Sequence, residues 1–159
     1  MIVEPVKLSS TSKIDFAKLA DGSLLVSGEN PLNDVHSLEI QPPPLGIQAI
    51  RLEVLPDASH TDNGYSRNFD GRFVLSGIDI ELVRPDAPAE VLSDIHVRAS
   101  SSRADWSITA VTDHNSDSGW STELLPACSY PIAIFSLHRP VFAEKLEAIR
   151  IRFRYEYKE

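Results

Sequence analysis

Apolar and polar residues alternate along much of this chain. From Ala148 to Lys158, Ile149, Ile151, Phe153, Tyr155 and Tyr157 alternate with Arg150, Arg152, Arg154, Glu156 and Lys158. Successive side chains of a strand point to opposite faces, so each set occupies one side of a sheet, whereas a helix would smear both around its circumference. The segment therefore predicts a half-buried antiparallel strand. Arg72 to Val83 alternates in the same way after Gly77, with Ile78, Ile80 and Leu82 opposing Asp79 and Glu81. Shorter stretches with strand character are Ser23–Val26, Ser37–Ile40, Ile47–Leu55, Ile95–Ala99, Ser107–Thr112 and Ile132–Leu137. The set amounts to about eight strands. Helical periodicity is scarce: Ile14 to Ala20 offers at most two turns before Asp21-Gly22 stops it.

Turn-rich stretches separate these strands: residues 42–46 (PPPLG), 57–71 and 84–90 (RPDAPAE). Prolines fall almost entirely between strands, where a missing N–H costs no ladder bond. Many short strands with Pro/Gly connections predict an all-β chain, an antiparallel β-sandwich or jelly roll, rather than a parallel α/β sheet. A near-repeat points the same way. Asp21-Gly22, Gly28, Ser37-Leu-Glu-Ile and Ile50-Arg-Leu echo Asp113, Gly119-Trp120, Phe135-Ser-Leu and Ile149-Arg-Ile, an order that two Greek keys would produce and that chance would also allow.

The 159 residues suit a single domain spanning the whole chain, with residues 1–20 as a lead-in and 21–158 as the sandwich. A domain of this size needs neither disulfide nor metal to build a core. The net charge of −8 disfavours nucleic acid and anionic membranes as partners. No stretch approaches the roughly 18 apolar residues of a membrane span. Cys128, the sole cysteine, has no partner within the chain. The first residues, MIVEPVKLSSTSK, lack the apolar core of a signal peptide. The compartment stays open, extracellular or periplasmic if the domain belongs to a larger secreted protein, and so does the oligomeric state.

Two segments carry a family resemblance. Residues 50–57 (IRLEVLPD) followed by 63–80 (NGYSRNFDGRFVLSGIDI) resemble a sandwich module of large planctomycete proteins of the cytochrome-c-associated type that carry domains of unknown function. The matching positions are Arg51, Leu52, Glu53, Leu55, Pro56, Asp57, Gly64, Arg67, Gly71, Phe73, Val74, Leu75 and Ser76; Tyr65-Ser66, Asp70 and Gly77 depart from the pattern. Residues 110–122 (AVTDHNSDSGWST) are similar to a later run of that module and to discoidin-like domains, and 21–31 (DGSLLVSGENP) agree with its start. The resemblance implies a galactose-binding-like jelly roll, a carbohydrate-binding accessory domain for a polysaccharide or glycan.

Candidate sites follow from composition and from that resemblance. Asp113, Asn115 and Asp117 place three oxygen side chains at alternate positions, as a Ca²⁺ loop does, but the glycine falls one place late for an EF-hand and no helices flank the loop. Discoidin-like domains imply a structural Ca²⁺ here, completed by Glu144 or Glu147. The competing reading is an Asx turn that caps its own backbone. For sugar recognition, Tyr65 with Arg67 and Asn68, and His114 nearby in type, supply an aromatic face and polar partners. A loop that Arg67 merely ties down is equally open. Trp120 and Trp106 are further stacking candidates; for Trp120 the resemblance favours a buried core anchor instead, and for Trp106 core and rim stand equally open. The stripe Arg150, Arg152, Arg154 and Lys158 suits an anionic partner, or is offset by Asp79 and Glu81 across the sheet.

No catalytic machinery is legible. His36, His60, His96, His114 and His138 show neither i, i+4 nor His-x-His spacing, and there is no nucleophile elbow or phosphate loop. The expectation is a non-catalytic binding module. The alternatives are a structural or protein-interaction domain, and a small glycan-active enzyme with carboxylates drawn from distant strands.

Overall fold

The computed structural model describes residues 2–126 and 129–156. Cys128, Tyr157 and Lys158 lie outside the described residues. Within them the chain is all-β with antiparallel sheets and contains ten strands. These are β1 (Pro5–Ser10), β2 (Ile14–Lys18), β3 (Leu24–Gly28), β4 (Asp34–Ile40), β5 (Ile47–Glu53), β6 (Gly77–Arg84), β7 (Ala87–Val91), β8 (Ile95–Ala99), β9 (Ile132–Val141) and β10 (Ala148–Tyr155). A five-stranded sheet runs β1-β4-β10-β6-β7, a three-stranded sheet runs β5-β9-β8, and β2-β3 form a separate hairpin.

β10 occupies the centre of the larger sheet, and its alternation does what the sequence pattern requires. Ile151 sits opposite Leu38 on β4 and Ile80 on β6; Ile149 opposes Ile40 and Leu82, and Phe153 opposes Ile78. These residues join Ala133 and Phe135 of β9 in one core, with Ile50, Leu52, Ile95, Val97 and Leu137 packed against it. The apolar faces of the two sheets therefore share a single interior, a sandwich-like arrangement.

Trp120 and Phe135 are fully buried in this core. Trp120 exchanges backbone hydrogen bonds with Leu75 (2.8 and 2.9 Å), and its indole N–H donates to the Ser101 carbonyl at 2.9 Å. Phe73 meets the indole edge-on at a centroid separation of 5.0 Å, and Tyr65 meets Phe73 at 6.1 Å. The row of rings closes one region of the core that no regular strand covers.

Four local expectations are corrected. Residues 1–20 are no lead-in: they supply edge strand β1 and hairpin strand β2, which turns back into β3 through Gly22 at φ 86°. Ile14–Ala20 is not helical, because Ile14 and Phe16 alternate with exposed Asp15 and Ala17, the two-residue period of a strand. Ser107–Thr112 is a short 3₁₀ turn instead of a strand. The Ser107 hydroxyl accepts from the Thr109 N–H, and Ile108 and Val111 are buried three residues apart, the spacing that turn eclipses. Residues 87–91 form β7, an edge strand that tolerates Pro88 because its open side needs no ladder donor.

The outward face of β10 is charged. Arg150 stands between Glu39 and Glu81 in register, bonding Glu39 through Nε at 2.9 Å and Glu81 through Nη1 at 2.9 Å. Arg152 reaches the other Glu81 oxygen at 2.8 Å, and Arg154 reaches Asp79 at 2.7 Å. Glu81 is almost wholly buried, so its charge depends on these partners. Arg150→Met is expected to cost about 3 kcal/mol in urea denaturation, because one partner of a buried pair is removed. The additional change Glu81→Gln should recover part of that loss.

Candidate functional site

The sequence-nominated aromatic site does not form a surface. Tyr65 is only 7% exposed, and its hydroxyl oxygen accepts from the Leu125 N–H at 3.0 Å. Trp120 is buried as described, so neither ring can stack on a sugar. Trp106 is half-buried and bridged to Arg103. The physical reason is area: aromatic rings in a small sandwich gain more from the core than from a loop surface.

The polar members of that set are spent on structure. The Arg67 guanidinium donates to the Gly28 and Glu29 carbonyls, both at 2.7 Å, pinning the β2-β3 hairpin to the 65–71 loop. Asn68 accepts from the Phe69 N–H at 2.9 Å, closing its own turn. His114, at φ 58°, is exposed beside a small cleft of about 130 Å³ lined by Ser76, Asn115, Ser116, Arg154 and Glu156.

The 113–119 loop binds its own backbone. Asp113 accepts from the Asn115 N–H at 2.8 Å and from the Ser118 hydroxyl at 2.7 Å, and Asn115 accepts from the Asp117 N–H at 3.0 Å. The Asp113 and Asn115 side-chain oxygens thus each close an Asx turn within the loop. Glu147 does not join them. It lies just before β10, beside Val83, whereas the loop borders Arg154 and Glu156 at the far end of that strand. Seven positions of extended chain separate the two, roughly 23 Å.

A buried polar cluster went unforeseen. Asp34, 5% exposed, accepts from the Ser10 hydroxyl (2.6 Å), the Thr11 hydroxyl (2.8 Å) and N–H (3.1 Å), and the Val35 N–H (2.8 Å). His36 Nε2 lies 3.2 Å from the same carboxylate. Phe16 of the hairpin meets the imidazole edge-on at 5.4 Å, and Tyr155 lies 4.6 Å away. Serine and histidine both turn on the aspartate, so the hydroxyl is not held by the imidazole as an activated nucleophile would be. The cluster ties β1, β4 and β10 to the hairpin.

Its electrostatics follow from burial. Desolvation alone would raise the Asp34 pKa, but the hydrogen bonds from Ser10 and Thr11, the neighbouring His36 and the Val35 N–H outweigh it and leave the group below its ordinary value. Burial pushes His36 below the ordinary 6.5, against the opposing pull of Asp34 and with help from Arg67. Tyr155 is driven well above the usual phenol range by burial and by Asp34.

The outer face of the five-stranded sheet carries an open polar surface. A groove of about 550 Å³ is lined by Lys7, Ser9, Ser37, Glu39, Arg150 and Arg152, with Ser10, Thr11 and Val35 at its end. Lys7 opposes Glu39 and Ser9 opposes Ser37 in register, while Arg150 and Arg152 face Glu39 and Ser37 from β10. The Lys7 side chain is 65% exposed and its nitrogen stands 3.7 Å from Glu39; Arg152 is 40% exposed. Ammonium, guanidinium, carboxylate and hydroxyl groups thus stand side by side on three adjacent strands. Sequence reasoning had noticed only the arginine stripe, because Lys7, Ser9 and Ser37 enter through pairing of residues far apart in the chain.

The chain matches no protein-family model, no curated protein and no solved structure.

Two outcomes are expected here. Asp113→Ala should cost about 1 kcal/mol, the worth of a turn's hydrogen bonds, equally in EDTA and in Ca²⁺; a loss seen only with Ca²⁺ would assign the loop to metal. Stability should also fall on acidification. A histidine with a depressed folded pKa contributes stability that is complete above the unfolded value and is lost as pH drops through the folded one. Urea melts should therefore weaken from about pH 7 downward, with a further loss below about pH 4 as Asp34 protonates. His36→Phe should flatten the first phase; an unchanged slope would place it on another group.

Proposed function

We propose that this chain is a non-catalytic binding module of the galactose-binding-like jelly-roll kind, and that it takes a carbohydrate in the groove over β1, β4 and β10. Several features support the jelly-roll reading. The two sheets together hold eight strands, the number of that fold. The arches β4-β5 and β9-β10 each pass from one sheet to the other, and β4 pairs with β10 as β5 pairs with β9. A twofold arrangement of this kind would produce the near-repeat in the sequence, which agrees with the reading.

The observation that carries the ligand reading is the groove's donor and acceptor mixture. Ser9, Ser37, Lys7, Arg152 and Glu39 alternate within hydrogen-bonding reach of one extended ligand. Vicinal sugar hydroxyls both donate and accept, so they match a surface that offers carboxylate and guanidinium together. The groove holds no aromatic ring, so recognition here is by hydrogen bonds, and the bound face of the sugar is its hydroxyl edge. The polarity of the lining disfavours an apolar ligand.

A second reading has a specific observation behind it. Leu45 is 92% exposed and Phe142 59% exposed, and the Phe142 ring lies over Gly46, so two apolar groups stand together at the β4-β5 and β9-β10 turns. Such a tip suits a contact with another protein.

Affinity electrophoresis against a panel of neutral and acidic polysaccharides separates the readings. Lys7→Ala and Arg152→Gln should each weaken retardation about tenfold, the worth of one charge-assisted hydrogen bond. Leu45→Ser should leave it unchanged. Retardation by none of the polysaccharides would overturn the carbohydrate reading.

A further inference from the structure

The three-stranded sheet carries a second constellation on its outer face. Asp94 immediately precedes β8, His96 lies on β8, and His138 lies on β9. Pairing of Ile95 with Leu137 and of His96 with Ser136 sets Asp94 opposite His138, with His96 two residues along on the same face. The His138 N–H donates to the Asp94 carbonyl at 3.4 Å, fixing the backbones. The Asp94 Oδ2 atom lies 3.5 Å from His138 Nδ1, and one ligand atom from each of the three residues lies within 4.8 Å of the others. All three side chains are exposed.

We propose that Asp94, His96 and His138 form a site for a first-row divalent cation of the Zn²⁺ class. Two imidazole nitrogens and one carboxylate oxygen are a borderline donor set, suited to Zn²⁺, Ni²⁺, Cu²⁺ or Co²⁺; the hard cations Ca²⁺ and Mg²⁺ take oxygen ligands almost alone. Zn–N bonds of about 2.0–2.1 Å place tetrahedral ligand atoms roughly 3.3 Å apart. The Asp94–His138 separation already matches that spacing. The three groups are solvent-exposed on a hydrogen-bonded backbone, so binding would draw the widest gap in by rotation of the side chains. One aspartate and two neutral imidazoles bring a single negative charge to the ion. Arg98, two residues past His96 on the same face, repels any cation there from roughly 7 Å, so coordination by the imidazoles has to outweigh that repulsion.

The site stands on an edge strand of its sheet, β8, so it is open on one side. Three protein ligands leave a fourth tetrahedral position for water or for a donor from an approaching ligand. It faces away from the five-stranded sheet and is independent of the groove proposed above.

Titration calorimetry of metal-free protein with Zn²⁺ tests the proposal, with Ca²⁺ as the contrast and Co²⁺ absorption as the report on geometry. A Cys128→Ser background removes the sole thiol from consideration. One Zn²⁺ per chain is expected, with Ca²⁺ producing no saturable heat. His96→Ala, His138→Ala and Asp94→Asn should each weaken Zn²⁺ binding at least tenfold and retain the thermal midpoint of the metal-free parent. His60→Gln, outside the cluster, should bind as the parent does. Uptake below one ion per chain at saturation, or equal weakening by His60→Gln, would overturn the assignment.

Discussion

The structure depends on a single constraint: β10 is the central strand of the larger sheet and must satisfy two incompatible environments at once. Its even division between apolar and charged residues is the condition for that position. Ile149, Ile151 and Phe153 enter the shared core, while Arg150, Arg152 and Arg154 meet carboxylates of β4 and β6. A one-residue slip would bury three guanidinium groups and expose three large apolar side chains, so register is fixed by burial on one face and by charge on the other. Gly77 contributes by having no side chain where the Arg154 guanidinium crosses β6.

The buried polar cluster performs a related task at the end of the same sheet. Asp34 gathers the hydroxyls and amides that begin the β1-β2 connection, and His36 with Phe16 seats the hairpin. Arg67 fastens the open end of that hairpin, where Gly28 pairs with Ile14 at the start of β2, through the Gly28 and Glu29 carbonyls. The hairpin belongs to neither sheet, so these polar and aromatic contacts give it a fixed place. A carboxylate removed from water is tolerated because nearly all its acceptor capacity is used.

Once the ion pairs and turns have taken their share of polar groups, two outer faces keep clustered, exposed polar side chains. One is a mixed polar groove on β1, β4 and β10; the other is the Asp94, His96 and His138 triad on β8 and β9. They lie on different sheets and differ in chemistry, with ammonium, guanidinium, carboxylate and hydroxyl groups on one and two imidazoles with a carboxylate on the other. A rigid sandwich is well suited to hold both, since strand pairing fixes the spacing of side chains on each face.

The sequence by itself determined the all-β character, the central strand and its two faces, because period-two alternation is a local property that a strand expresses wherever it is placed. It also contained the outcome for the arginine stripe, since Asp79 and Glu81 alternate with the core residues of β6 just as the arginines do on β10. Local pattern failed at Ile14–Lys18 and Ser107–Thr112, where short apolar runs fit either period, and at Ala87–Val91, where proline concealed an edge strand. The surfaces were decided only by tertiary structure. Tyr65 suited a ligand contact by its neighbours until packing drew its ring inside, Trp120 took the core place that the family resemblance favoured, and His96 and His138, 42 positions apart by number, became neighbours only through the pairing of β8 with β9. Burial and register are non-local quantities: each depends on which strand lies alongside, and no window of sequence contains that information.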